Sequence, residues 1–242
     1  IAGFMEALRQ RDVAHEQRAF AHEQRTFALA SAAEARAAAR KAEAAARKAE
    51  AVNKFMLDML SVADPMISAT RDITAKEAVQ RAVAKIDAGS MKDQPDIEAA
   101  VRMTIGRTFM GLAQYPAALE QVNRVLDAYR GLVGEKAVEY AEALQLRGGI
   151  LSLSGKIDLA ESDFRAALAI QRALRDPDDP AIAACLNDLA TTLTSLEKFD
   201  ESMELLAQAE RIARSPRNTT LTMLPEVVNN IGMVFIGGEQ VN

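Results

Sequence analysis

Apolar and polar positions follow two different rhythms along this chain of 242 residues. From Ala99 to Asn242 the rhythm has a long period as well as a short one. Gly106, Gly148, Ala190 and Gly232 stand 42 residues apart, and the same step joins Leu112, Ser154, Leu196 and Gly238. It joins Tyr115, Ile157, Phe199 and Val241, and also Ala118, Ala160 and Ser202. Leu126 and Leu168 are followed at that step by the polar Glu210, so the match loosens in the third repeat. Within each period apolar residues return every three or four positions, as on one face of an α-helix. A helical repeat of this length predicts stacked helix pairs. Such stacks usually present a surface for binding rather than a site for chemistry.

The predicted elements follow from that register. The first repeat pairs a helix over Ile97–Gly111 with one over Pro116–Tyr129, and the second pairs Lys136–Leu153 with Ile157–Leu174. The third pairs Pro180–Leu196 with Asp200–Arg214, and a fourth supplies Leu224–Ile236. The small residues at 106, 148, 190 and 232, with Ala118 and Ala160 opposite, allow close approach within each pair, while Phe109, Leu151, Leu193 and Phe235 fill the layer between. Val228, Ile231 and Phe235 would lack a covering helix, which predicts that the intact protein continues with further repeats.

Upstream the rhythm is short. Met5–Ala63 contains neither Gly nor Pro and is filled with strong helix formers. As one helix, its 59 residues at ~1.5 Å each would extend about 90 Å. AHEQRAF at Ala14–Phe20 is followed by AHEQRTF at Ala21–Phe27, and AARKAEA starts at both Ala38 and Ala45. A three-four spacing runs through Ala14, Gln17, Ala21, Gln24, Ala28, Ser31, Ala35, Ala38, Ala42, Ala45, Ala49, Val52, Met56, Met59 and Ala63, a coiled-coil seam by spacing. Ala at a seam position gives up roughly 2 kcal/mol of burial relative to Leu. Both a dimerising stalk and a solvated single-helix spacer therefore fit. Ala63-Asp64-Pro65 predicts the stop, and Met66–Asp72 a loop. Thr74 with Glu77 three residues on predicts the capped start of a helix whose apolar face is Ala78, Val79, Ala82, Val83 and Ile86, with Gly89 ending it. This helix should cover the open end of the array. The expected organisation is thus all-α: residues 1–63 a long helix, 64–98 a loop and capping helix, 99–242 the repeats.

Composition narrows the function classes. A net charge of −5, divided as +2 over residues 1–63 and −7 over the rest, does not suggest a nucleic-acid binder. No apolar run reaches the ~18 residues of a membrane span. The one cysteine, Cys185, rules out an internal disulfide; with no His nearby in sequence it reads as a small buried hydrophobe. His15 and His22 are seven residues apart on one stripe, a spacing that suits a heptad better than a shared metal. Asp176, Asp178 and Asp179 lack the Gly and closing Glu of a calcium loop and read as a turn that caps the helix beginning at Pro180. Gly237-Gly238 reads as a turn between two helices, with no phosphate-loop context. No cofactor site is expected.

IGRTFMGLAQYPAALEQVNRVL at Ile105–Leu126 and the segment Gly148–Leu168 resemble tetratricopeptide repeats. The 42-residue period and DPDDPAIAACLNDLA at Asp176–Ala190 are similar to the kinesin-light-chain type of that family. The resemblance implies an α-α superhelix whose first helices line a concave groove for an extended protein or peptide. Its groove positions would be Met103, Arg107 and Met110; Gln145, Gly149 and Ser152; Asn187, Thr191 and Thr194; and Asn229, Met233 and Ile236. Asn187 and Asn229 match the Asn-rich groove of that type; the Lys and Asn pair that clamps a carboxylate in chaperone-binding members is missing. VNKFMLDMLSVADP at Val52–Pro65, between the Ala/Arg/Glu-rich helix and ITAKEAVQRAVAKI, resembles the C-terminal region of large bacterial Ser/Thr protein kinases. That resemblance implies a kinase domain upstream and often a membrane helix, of which Ile1–Phe4 would be a stub. The chain itself holds no Gly-rich phosphate loop, His-Arg-Asp loop or Asp-Phe-Gly motif. The expected function is a non-catalytic interaction module, either the tail of such a kinase or a coiled-coil stalk with repeats. Self-association would run through the first helix, and membrane attachment only through a span before Ile1.

Overall fold

The computed structural model describes the backbone of residues 2–61, 74–216, 218 and 223–239. Among these residues the chain is entirely helical apart from turns, as the short-period rhythm predicts. The helices are α1 (Ala2–Ser61), α2 (Ala75–Asp87), α3 (Pro95–Gly111), α4 (Tyr115–Leu132), α5 (Val138–Leu153), α6 (Ile157–Leu174), α7 (Pro180–Ser195), α8 (Phe199–Ala213) and α9 (Leu224–Glu239). Two compact units divide the chain, Ile1–Ala51 and Val52–Asn242. The predicted stop at Ala63–Pro65 and the loop at Met66–Asp72 lie outside the described residues.

The first unit is most of α1. Its described side chains are largely exposed, including Phe20, Phe27 and Leu29. Local support is weak: the Arg47–Glu43 pair, at 3.8 Å and well solvated, is worth a few tenths of a kcal/mol.

The second unit begins at the apolar end of α1, where Phe55 is buried in the core with Val52 and Met56 against it. Thr74 opens α2 as the sequence predicts. Its hydroxyl accepts from the Glu77 N–H at 3.2 Å, and the Glu77 carboxylate accepts from the Thr74 N–H at 3.0 Å. Val79, Ala82 and Ile86 of α2 are buried. Arg102 of α3, itself buried, donates to Asp87 at the end of α2, to Glu98 and to Gln121 of α4, fastening three helices through one guanidinium.

The pairs α3/α4, α5/α6 and α7/α8 then stack in order, and α9 lies against α8 and α7. Close approach explains the small residues at 106 and 148. A Cβ on Gly106 would stand 2.8 Å from Val122 Cγ2, and one on Gly148 would stand 3.0 Å from the Phe164 ring. Ala190 and the facing Ala118, Ala160 and Ser202 are fully buried. Ser202 compensates for its polarity by hydrogen bonds to the Ala190 carbonyl and Thr194 Oγ1, each 2.8 Å. The turns inside the pairs also repeat. Ala113, Gly155 and Glu197 take positive φ of 55°, 78° and 60°, and the N–H groups of Gln114, Lys156 and Lys198 close onto the carbonyls of Phe109, Leu151 and Leu193. Each is a helix stop with the next residue left-handed, a conformation that Gly155 enters freely and Ala113 and Glu197 adopt against their Cβ.

Three expectations need correction at α9, the first being close approach at Gly232, where an added Cβ would meet nothing within 4 Å because among the described residues no helix lies against that position. Gly237 and Gly238 lie inside the helix rather than in a turn, because Gly237 comes up against the Phe199 ring of α8: an added Cβ would meet it at 2.9 Å. Phe235 does not fill a layer as Phe109, Leu151 and Leu193 do; it is 61% exposed, because among the described residues no helix pairs with that face of α9.

Candidate functional site

The first helices of the pairs, α3, α5 and α7, together with α9, carry every groove position that the sequence predicts. Their burial differs. Arg107, Thr191, Asn229, Met233 and Ile236 are exposed. Met110, Gln145, Gly149, Ser152 and Thr194 are half-buried, whereas Asn187 is buried and Met103 is sunk in the core. Thr194 spends its hydroxyl on the Ala190 carbonyl and on Ser202 of the paired helix.

Arg107, Met110, Gln145 and Gly149 come together in a hollow of about 370 Å3, joined by Glu142, Leu146 and Asp188. These last three did not emerge from the repeat register. Gln145 sets the polar geometry. Its Nε2 donates to Asp188 Oδ2 at 2.6 Å, and its Oε1 accepts from Gln171 Nε2 of α6 at 3.1 Å. Gln171 is wholly buried, and its own Oε1 has no hydrogen-bond partner among the described residues. Burial pushes the Asp188 carboxyl up to about 6; the Gln145 hydrogen bond works against that rise and the Glu226 charge adds to it. Glu142 accepts from Arg175 at 2.9 Å, and Arg175 also holds Asp179 at 3.1 Å.

A second set of polar contacts links α7 to α9. Asn187 Nδ2 donates to Glu226 at 3.0 Å, while Asn187 Oδ1 accepts from Asn230 Nδ2 at 2.8 Å. Thr191 Oγ1 accepts from the same amide at 3.4 Å. Asn187 therefore pairs with Asn230 and not with Asn229, which is exposed one position earlier.

The other chemistry-bearing residues have structural surroundings. Cys185 is buried, its thiol 3.5 Å from the Phe164 carbonyl, and burial pushes it up to about 12, so the thiolate is not formed near neutral pH. Asp179 caps α7, accepting from the Ala181 N–H at 2.8 Å with Pro180 at the first helical position. Asp178 accepts from Ser215 at 3.1 Å, and its carbonyl accepts from Asn218 at 3.2 Å. His15 and His22 are exposed on α1, and the described residues contain no group of three or more His, Cys, Asp or Glu that could hold a metal ion. Among the described residues no helix is long and apolar enough to cross a membrane.

Ion pairs on the side of the stack made by second helices join successive repeats. Arg165 reaches Glu201 at 2.7 Å and Lys198 reaches Glu161 at 2.8 Å, drawing the Glu161 carboxyl below its usual range. Exposed pairs of this kind contribute little stability each.

Residues 139–215 match the tetratricopeptide repeat family. A TPR repeat-containing protein of Dictyostelium discoideum is 28% identical over 123 residues, which is 51% of this chain and 7% of that relative, so the chain spans only a small part of it. The crystal structure of BtubC (BKLC) from P. vanneervenii superposes with a TM-score of 0.56 at 15% identity, covering 80% of this chain and 82% of that one. A Podosopora anserina structure described as a putative kinesin light chain with nearly identical TPR-like repeats gives a TM-score of 0.56 at 16% identity over 68% of this chain and 77% of its own. Those two likenesses concern the fold. Residues 139–215 thus match tetratricopeptide repeats by sequence, and the stacked helix pairs share the fold of those two solved structures.

Proposed function

We propose that the chain is an interaction scaffold that holds an extended segment of a protein partner along α3, α5, α7 and α9. The observation that carries this reading is the hollow between α3, α5 and α7, where half-buried amides and an aspartate stand beside apolar side chains. Such sites bind backbone and side chains together, the apolar part giving affinity and the polar part orientation. Side-chain amides can both donate to and accept from an extended backbone. The test is a pull-down with the full chain, comparing wild type with a triple variant at exposed groove positions, Thr191→Ala, Asn229→Ala and Met233→Ala. Partners lost with that variant and retained with the second-helix control Glu120→Ala/Glu204→Ala support the groove. Partners retained by both contradict it.

The resemblance at Val52–Pro65 and the order of parts support a finer placement, as the non-catalytic C-terminal part of a bacterial Ser/Thr kinase. Kinase motifs in the coding sequence upstream of Ile1 would agree with that placement, and a different upstream domain would end it. The alternative, a coiled-coil stalk, is favoured by Phe20 and Phe27, which are 63% and 76% exposed and one heptad apart. Sedimentation of the full chain decides it: a concentration-dependent dimer supports the stalk, a monomer removes it.

A further inference from the structure

The hollow on α3, α5 and α7 has a charge that the fold leaves unanswered. Among the described residues the Asp188 carboxylate accepts one hydrogen bond, from Gln145, and makes no ion pair. Glu142, across the hollow, is already answered by Arg175. Glu226, on α9, carries the same sign as Asp188 and accepts from Asn187. The Gln145 donor is held from behind by the buried Gln171, so the aspartate is fixed in place rather than free to seek solvent. Met110 and Leu146 give the hollow apolar walls, and Gly149 adds no side chain of its own. At about 370 Å3 the hollow is at the small end of ligand-binding cavities.

We propose that this hollow receives one lysine or arginine side chain of the bound segment, its methylene stem along Met110 and Leu146 and its cationic head on the Asp188 carboxylate. The inference rests on the groove reading above and adds the chemistry of the residue recognised. A long cationic side chain suits such a place because its stem is apolar and only its tip needs a partner. A charge-assisted hydrogen bond to a half-buried carboxylate is worth more than a neutral one. Arg107 stands at the α3 side of the hollow, exposed and of the same sign as the expected guest. It should therefore weaken the guest rather than hold it.

The test uses the 15N-labelled full chain titrated with N-acetyl-arginine amide, and with N-acetyl-citrulline amide as a neutral probe of the same shape. The arginine probe should shift the amides of Arg107, Gln145, Gly149 and Asp188. The citrulline probe should bind at least about tenfold more weakly, as expected for loss of one charge-assisted bond. Asp188→Asn should lose binding by a similar factor, whereas Arg107→Gln should tighten it. Binding should also weaken as pH falls below about 6, where Asp188 takes up a proton beside Glu226 of α9, Glu142 of α5, Arg107 of α3 and the protonated Cys185 of its own helix. Equal binding of the citrulline probe, unchanged binding by Asp188→Asn, or no shift at these amides would overturn the proposal. None of these results touches the groove reading, which stands or falls with the pull-down.

Discussion

At the scale of single residues, the repeat register makes opposite predictions for chemically identical changes. Gly106→Ala forces a methyl to within 2.8 Å of the buried Val122. Overpacking of about 1–3 kcal/mol should exceed the roughly 1 kcal/mol gained from helix propensity, so urea denaturation should show a less stable protein. Gly232→Ala meets nothing within 4 Å and should stabilise α9 by up to about 1 kcal/mol. Glu197→Gly should also stabilise, by up to about 1 kcal/mol, by relieving a left-handed residue with a side chain. Asp188 supplies the pH dependence. Its folded-state pKa is raised from 3.8 to about 6, so the folded chain holds the proton more tightly than the unfolded one. Its contribution is favourable at low pH and is lost as pH rises from about 4 to 6. Asp188→Asn should raise the unfolding free energy at pH 7, by no more than about 3 kcal/mol, and flatten that fall, both read from urea titrations across pH 4–7.

At the scale of elements, most boundaries were legible because start and stop signals agree with the apolar period. The helix predicted over Ile157–Leu174 has those bounds, and the one predicted from Lys136 begins two residues later at Val138. Thr74 and Glu77 form the capping box that their spacing implies, and Thr74→Ala should cost about 1 kcal/mol, seen as faster amide exchange in the first turn of α2. The miss at Gly237-Gly238 has a packing cause. Two glycines read locally as a stop, but the Phe199 ring needs a helix without a side chain at that place. The hollow was only half legible for a different reason. A 42-residue register pairs Gln145 with Asn187, but the side chains that meet across α5 and α7 are 43 apart, Gln145 with Asp188. The offset recurs between α7 and α9, where Asn187 meets Asn230. Periodicity names the equivalent positions; the lean of each helix against the next decides which neighbours touch.

At the scale of the molecule, each helix pair in the second unit is fastened mainly to its neighbours, as in other repeat stacks. That arrangement places polar side chains of successive first helices along one face while the apolar ones close the core. The composition is mildly acidic, and the Asp188 carboxylate in the hollow makes no ion pair among the described residues, which is the basis of the proposal that the bound segment offers a basic side chain. The most direct measurement is amide hydrogen exchange of the full chain with and without a peptide selected against it from a random library. A partner held in the groove should add protection in α3, α5 and α7 around Arg107, Gln145–Gly149 and Asn187–Asp188, with α4, α6 and α8 unchanged. Protection confined to α4, α6 and α8, or to α1, would contradict it.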